Sequence, residues 1–302
     1  MSATLRDSRI TSRVTFRRSG GSHGIVRVPV CWFVIGLTFG SASLAAQASL
    51  AAGVTAGYAK LSDQRSEQAL SGALQLQATP WLSFSAVPSF VHVSDVVKGA
   101  TVSSNGIGDL PLSAAAIHAF ASARAPTIAA ALTIVLPTGN AACGLGSGAT
   151  STGLDIGLGA SPDPRLHLSA DASRSISHVS SQSTLSAPRA TSLVFGGGYD
   201  VAPSWRADVS LGIDVGQSDS TQALSRVASG GVSHRLASSA MLTLDGSIGL
   251  TAGSPKWVIS IGFGSVFAGT SPVGLSAPLH RLKSSFTGGV NRQSGSGKIG
   301  CR

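Results

Sequence analysis

The chain has 302 residues, of which 43% are hydrophobic, 12% charged and 5% aromatic, with 37 glycines and a formal net charge of +9. An ordinary soluble domain is about one quarter charged, so half the usual supply of solvating side chains is missing, while the apolar content excludes a disordered chain. Only one stretch approaches the ~20 uninterrupted apolar residues of a spanning helix, and the charge sits at the ends: six Arg against Asp7 in residues 1–30, and Arg281, Lys283, Arg292, Lys298 and Arg302 with no acid in 269–302. The body between is near neutral and has no basic stripe interleaved with aromatics, so nucleic acid is not an expected partner.

The first element is an export signal. A basic stretch precedes the apolar run from Val28 to Phe39, and a small-residue segment ends in Ala46-Gln-Ala48. Basic, apolar and small-x-small regions in that order describe a cleaved secretory signal over 1–48. The mature chain is expected to start near Ser49. Cys31 leaves with the signal, while Cys143 stays in a Gly-rich loop and Cys301 in the tail. A Cys143–Cys301 disulfide is open to the mature chain. No Cys/His spacing suits a metal, and no cofactor is expected.

The body alternates with period two. Ile128, Ala130, Leu132, Ile134 and Leu136 oppose mostly Thr and Ala, and Val209, Leu211, Ile213 and Val215 oppose Asp208, Ser210, Gly212 and Asp214. Such alternation marks strands with one apolar face. Twelve strands are predicted, at about 50–61, 69–78, 82–93, 109–121, 126–137, 151–160, 165–177, 189–201, 205–216, 222–236, 240–251 and 256–267. Most match the ~9–11 residues that a tilted strand needs to cross a bilayer. Connections after the even strands hold three or four residues, and those after the odd strands reach 15, 13 and 11. Short turns on one side and longer loops on the other is the outer-membrane arrangement.

The expected fold is therefore all-β: a transmembrane antiparallel β-barrel of about twelve strands over 49–268. A basic Gly/Ser-rich tail, read as disordered, follows over 269–302. The expected location is the outer membrane of a Gram-negative-type bacterium, with the short turns in the periplasm. Lipid and the outer-membrane assembly machinery are the expected partners. Trp81, Phe120, Trp205 and Phe267 border the short turns and would form a girdle there. Pro88 and Pro111 fit poorly inside strands, where each removes a ladder donor; both lie within a few residues of the 15-residue loop at 94–108, and a bulge or an early strand end is expected to absorb them. A soluble sandwich would carry more Lys, Glu and Thr opposite its apolar face than this chain does.

Three segments carry a resemblance: Asn105-Gly-Ile-Gly-Asp109, Leu132-Thr-Ile-Val-Leu-Pro-Thr-Gly139, and Gly144-Leu-Gly-Ser-Gly-Ala-Thr-Ser-Thr-Gly-Leu-Asp155. Their order resembles the outer-membrane transporter family linked to phenol meta-pathway degradation. The resemblance implies a small exported β-barrel that passes small apolar or aromatic molecules. In physical terms, Gly106 and Gly108 permit a tight entry into a strand. Asp109 would cap nearby loop amides, and Pro137 and Gly139 would end a strand.

Enzyme chemistry finds little support. The Gly-rich run 144–153 lacks the Lys of a phosphate-binding loop, and no Gly-x-Ser-x-Gly elbow exists. Ser104-Asn105-Gly106 resembles part of the outer-membrane phospholipase motif, but Val102 stands where that motif has His, so Ser104 lacks a base. Asp155, His167, Asp171, Asp208, Asp214 and Asp245 alternate against apolar neighbours. A charge facing lipid is costly, so these six are expected to line the lumen. The expected function is a passive channel or transporter for small solutes. The alternative is a closed structural or surface-interaction barrel that presents its loops.

Overall fold

A computed structural model describes residues 49–122, 126–178, 190–215, 225–237 and 240–265. The signal segment and the basic tail lie outside the described residues. The strands are β1 (Ser49–Lys60), β2 (Arg65–Thr79), β3 (Leu82–Ala86), β4 (Ser89–Val97), β5 (Ala100–Ile107), β6 (Leu110–Ala119), β7 (Thr127–Leu136), β8 (Thr150–Asp163), β9 (Leu166–His178), β10 (Ala190–Ala202), β11 (Trp205–Asp214), β12 (Arg226–Ala237), β13 (Ala240–Gly249) and β14 (Trp257–Ser265). All pairings are antiparallel, most of them between sequence neighbours, with β2 also pairing β4, β3 pairing β6, and β1 pairing both β2 and β14. The sheet therefore closes on itself and leaves no edge.

Two pairs of strands each form a single stave, so the closed wall is a twelve-stave antiparallel barrel. β3 and β4 both pair with β2 in one unbroken register, from Leu74↔Ala86 to Leu70↔Phe90. The ladder lapses only at Val87 and Pro88. Pro88 has no N–H to give, yet its carbonyl still accepts from the Gly72 amide, and the Val87 amide donates to the Pro111 carbonyl.

β5 and β6 form the next stave with a twist in its bookkeeping. Between Ala86↔Leu112 and Phe90↔Ile107 the β3–β4 stave advances four residues and its partner five. The extra residue is a β-bulge at Gly108–Asp109, and it exchanges the inner and outer faces along that stave. Ser104 and Gly106 face inward in β5, while Pro111 and Ser113 do so in β6.

The expected loop at 94–108 is corrected by the same stave. β4 and β5 run on to a two-residue turn at Lys98 and Gly99, whose φ values are 51° and 82°. Positive φ at both central residues is the type I′ geometry that suits a twisted hairpin. The stretch read as a loop because its outward residues there are His92, Ser94, Ser103 and Asn105. A hairpin that projects beyond lipid has no need of an apolar face, so it loses the alternation that reveals a strand.

Elsewhere the outer face is apolar. Leu70, Leu74, Leu132, Leu154, Leu158, Val209, Leu244 and Ile261 are all exposed. Thr55, Ser71, Thr127, Thr243 and Ser247 are buried on the inner face. This inversion of a soluble core is what a hydrocarbon solvent selects. It pairs backbone groups strand to strand within the wall and turns apolar side chains outward.

At the short-turn end Trp81, Phe120 and Trp205 are exposed, and Trp205 stacks on His234 at 4.2 Å. Phe267 lies outside the described residues. The opposite end has its own aromatic pair: Tyr58 stacks on Trp257 at 5.1 Å.

Candidate functional site: a lumen in two zones

The inner wall is built from alternating acids and glycines. Asp208 on β11 and Asp245 on β13 are both register partners of Gly231 on β12. Asp171 faces Gly157, and Asp155 faces Ser173. A side chain at Gly157 or Gly231 would collide with the neighbouring carboxylate, so each glycine provides the room into which an acid leans. Asp214 ends β11 opposite Ser192.

His167 sits between three staves. Its Nδ1 lies 2.9 Å from Ser161 Oγ on β8, and its Nε2 lies 3.0 Å from Asp200 Oδ2 on β10. Both ring nitrogens are thereby partnered. Arg206 Nε donates to Asp208 Oδ1 at 2.9 Å. Asp200, Arg206 and Asp208, together with Arg165, Arg235 and Thr243, bound a cavity of about 440 Å³ toward the short-turn end.

The other half of the lumen is filled by the connection between β7 and β8. Pro137 follows the last residue of β7 and ends the strand. The chain then turns inward. Thr138 Oγ1 donates to the Gly108 carbonyl at 2.7 Å, Gly139 N donates to Asp109 Oδ1 at 3.1 Å, and Ser147 N donates to Asp109 Oδ2 at 2.6 Å. Asp109 therefore caps amides of the 137–149 connection rather than those of its own stave, and the bulge is what aims it there.

The two limbs of the connection cross at Gly139 and Gly146. A Cβ on Gly139 would stand 2.5 Å from the Leu145 carbonyl oxygen, and one on Gly146 2.5 Å from the Gly139 carbonyl oxygen. Neither position admits any other residue without moving backbone.

Beyond the crossing, a 3-10 turn at Ala141–Cys143 sets down Cys143 and Leu145, each only 4% exposed. They pack with Ala59, Ala69, Val91, Val93 and Val258, which come from β1, β2, β4 and β14. Gly106 admits Leu145: a Cβ there would come within 2.9 Å of Leu145 Cδ1. Cys143 is disulfide-bonded. Arg65 stands beside Gly144, with Asp95 at 4.0 Å from its guanidinium.

The structure thus places Asp155, His167, Asp171, Asp208, Asp214 and Asp245 on the inner face, and it gathers Gly106, Gly108, Asp109, Pro137 and Gly139 around one loop crossing. Sequence reading missed Glu67, buried on β2, and the Ser161, Asp200 and Arg206 partners of the lumen groups. Arg206 was legible, since it shares a face with Asp208 two residues on. Ser161 was not, because the register shifts between Ala160 and Asp163. Leu145 carried no periodic signal at all. Among the described residues no group of His, Cys, Asp and Glu is arranged to hold a metal ion.

Comparison with known proteins places this architecture. A family model described as "Putative MetA-pathway of phenol degradation" matches residues 53–266. The fold is similar to the crystal structure of an outer membrane channel from Pseudomonas putida F1, with a TM-score of 0.61 and 17% identity over 73% of this chain and 96% of that one. It is also similar to the KdgM porin, with a TM-score of 0.51 and 9% identity over 72% of this chain and 99% of that one. No curated protein matches the chain in sequence.

Proposed function

We propose, from the premise that the chain belongs to the family described as a MetA pathway of phenol degradation, that it is a passive outer-membrane channel for small solutes with an apolar or aromatic part. The short turns face the periplasm, and the protein is not an enzyme. One observation carries the reading: along the lumen an inward loop packed on apolar wall residues is followed by a polar cavity. A solute entering at the long-loop end meets Leu145 packed on Val91, Val93 and Val258, with the buried Glu67 beside Val93. It leaves through the cavity lined by Asp200, Arg206, Asp208 and Asp245.

A small molecule with a greasy ring and one polar group suits both zones. Its ring replaces water at the constriction, and its polar group exchanges hydrogen bonds along the acid and hydroxyl wall. Weak binding at successive sites lets the solute leave as readily as it enters. The solved structures of similar fold are named as an outer membrane channel and a porin, which supports the transport class.

Proteoliposomes test this directly. Protein-dependent uptake of a phenol-sized solute is expected, with a smaller uptake of a sugar of equal mass. Leu145→Gly should raise ion conductance and weaken that preference. If neither the wild type nor a variant lacking residues 140–147 passes ions or solute, the barrel is closed and serves as a surface scaffold.

A further inference from the structure

We propose that the outer face at the long-loop end binds the phosphates of an outer-leaflet glycolipid through Lys60, Arg174 and Arg226; the choice of leaflet rests on the orientation given above.

Register fixes where these three side chains stand. Lys60 pairs with Trp257, Arg174 with Leu154, and Arg226 with Ile213. Register partners share a face. Trp257 and Leu154 are exposed on the lipid side, and Ile213 follows Val209 and Leu211 there. All three bases therefore face outward. Lys60 is the last residue of β1, Arg226 is the first of β12, and Arg174 lies four residues before the end of β9. Each stands at the margin where the apolar band gives way to headgroups. A lipid-facing base is most costly at the bilayer midplane and least at the interface, and its long stem carries the charged head to water. Beside Lys60, Trp257 stacks on Tyr58, an aromatic pair of the kind that sits at headgroup level.

The charge around them is one-sided. Among the described residues no Asp or Glu stands on the outer face of a strand at this end; Glu67, Asp95, Asp155 and Asp214 face the lumen. The loop acid Asp63 is hydrogen-bonded to Lys256 and feels Lys60 through charge alone. Arg174 and Arg226 make no ion pair among the described residues. At the short-turn end, Arg206 and Arg235 belong to the lumen cavity instead. The outer face thus asks for anions in one leaflet only.

The donors select a phosphate. A guanidinium fork grips two phosphate oxygens at once, and an ammonium supplies a point charge. A phosphomonoester carries more negative charge than the phosphodiester of an ordinary phospholipid. The three bases lie three strands apart in the sheet, on β9, β12 and β1, which at ~4.8 Å per strand sets them about 15 Å from one to the next. Each therefore takes its own phosphate, and together they form a belt around half of the barrel.

The experiment uses the full-length mature protein in detergent, stripped of lipid, with native mass spectrometry to count the lipid that rebinds. Bis-phosphorylated lipid A should be retained, and its dephosphorylated form and phosphatidylglycerol several-fold less. The triple variant Lys60→Gln, Arg174→Gln, Arg226→Gln should lose lipid A several-fold while keeping the heat-modifiable migration of a folded barrel. Should the triple variant fail to fold, Arg174→Gln alone should still lower the occupancy. Equal retention of the dephosphorylated form, or unchanged retention of lipid A by the folded variants, overturns the proposal. Equal retention of phosphatidylglycerol overturns the choice of leaflet. Conductance is read separately. A variant that loses lipid A and still conducts supports the belt and leaves the channel reading intact, whereas a barrel that holds lipid A through these bases yet never conducts strikes the channel reading alone.

Discussion

Asp109 and the Gly139–Gly146 crossing hold the inward loop by different means, and single substitutions separate them. Asp109 accepts two backbone amides across the loop. Asp109→Ala leaves both donors without that partner and should cost about 1–3 kcal/mol, read as a lower temperature for heat modification on gels. Gly146→Ala should cost about as much by overpacking, and it should also raise conductance, because the loop must back out of the lumen to relieve the clash.

A third residue-scale contact lies outside the membrane. A hydrogen bond from Lys256, and then the charge of Lys256, hold the Asp63 carboxyl below its ordinary range. A depressed carboxylate stabilises the fold above its unfolded value near 3.9. That stabilisation is lost as pH falls through the folded value. The pair is exposed, so the gain is small. NMR titration should show the Asp63 midpoint rising toward the ordinary value in Lys256→Met; an unchanged midpoint would remove the pair from the account.

At the scale of elements, the outer face records where lipid begins and ends. On the β4–β5 hairpin the large apolar register pair Phe90 and Ile107 is followed on the outer face by the polar pairs His92 with Asn105 and Ser94 with Ser103, and Val96 and Val97 are exposed only at the tip. The hydrocarbon boundary therefore lies between the Phe90 and His92 rows. In whole cells, a cysteine at position 92 should react with a membrane-impermeant maleimide, and one at position 90 should not. Equal reactivity would move the boundary and the hairpin with it.

The same rows explain what could be read in advance. β7, β8 and β11 declared themselves, because lipid outside and water inside force strict alternation upon them. The hairpin beyond the boundary faces water on its outer side, so no alternation marked it and it passed for a loop. The bulge at Gly108–Asp109 hid for a related reason: one extra residue reverses the faces, and a reversed pattern resembles an interrupted one. Pro88 and Pro111 look disruptive in one dimension. In the barrel their carbonyls still accept wall hydrogen bonds, and only the missing amides are lost.

The whole molecule poses the question of what the acids of the inner wall do together. Asp171, Asp208 and Asp245 stand on three different staves, each with a glycine as register partner. Arg206 offsets Asp208, but the inner wall as a whole keeps more acids than bases among the described residues. In a narrow passage such an excess concentrates cations and repels anions. Replacing all three with Asn removes the charge and keeps most of the shape and hydrogen-bonding capacity. The glycines that accommodate the carboxylates accommodate the amides equally well, so the barrel should stay folded and heat-modifiable. The measurement is the reversal potential across a planar bilayer under a salt gradient. The cation preference should fall several-fold toward neutrality in the triple variant, and the remaining preference should shrink further in high salt, as screening requires. An unchanged reversal potential in a folded, conducting variant would show that these acids only wet the wall.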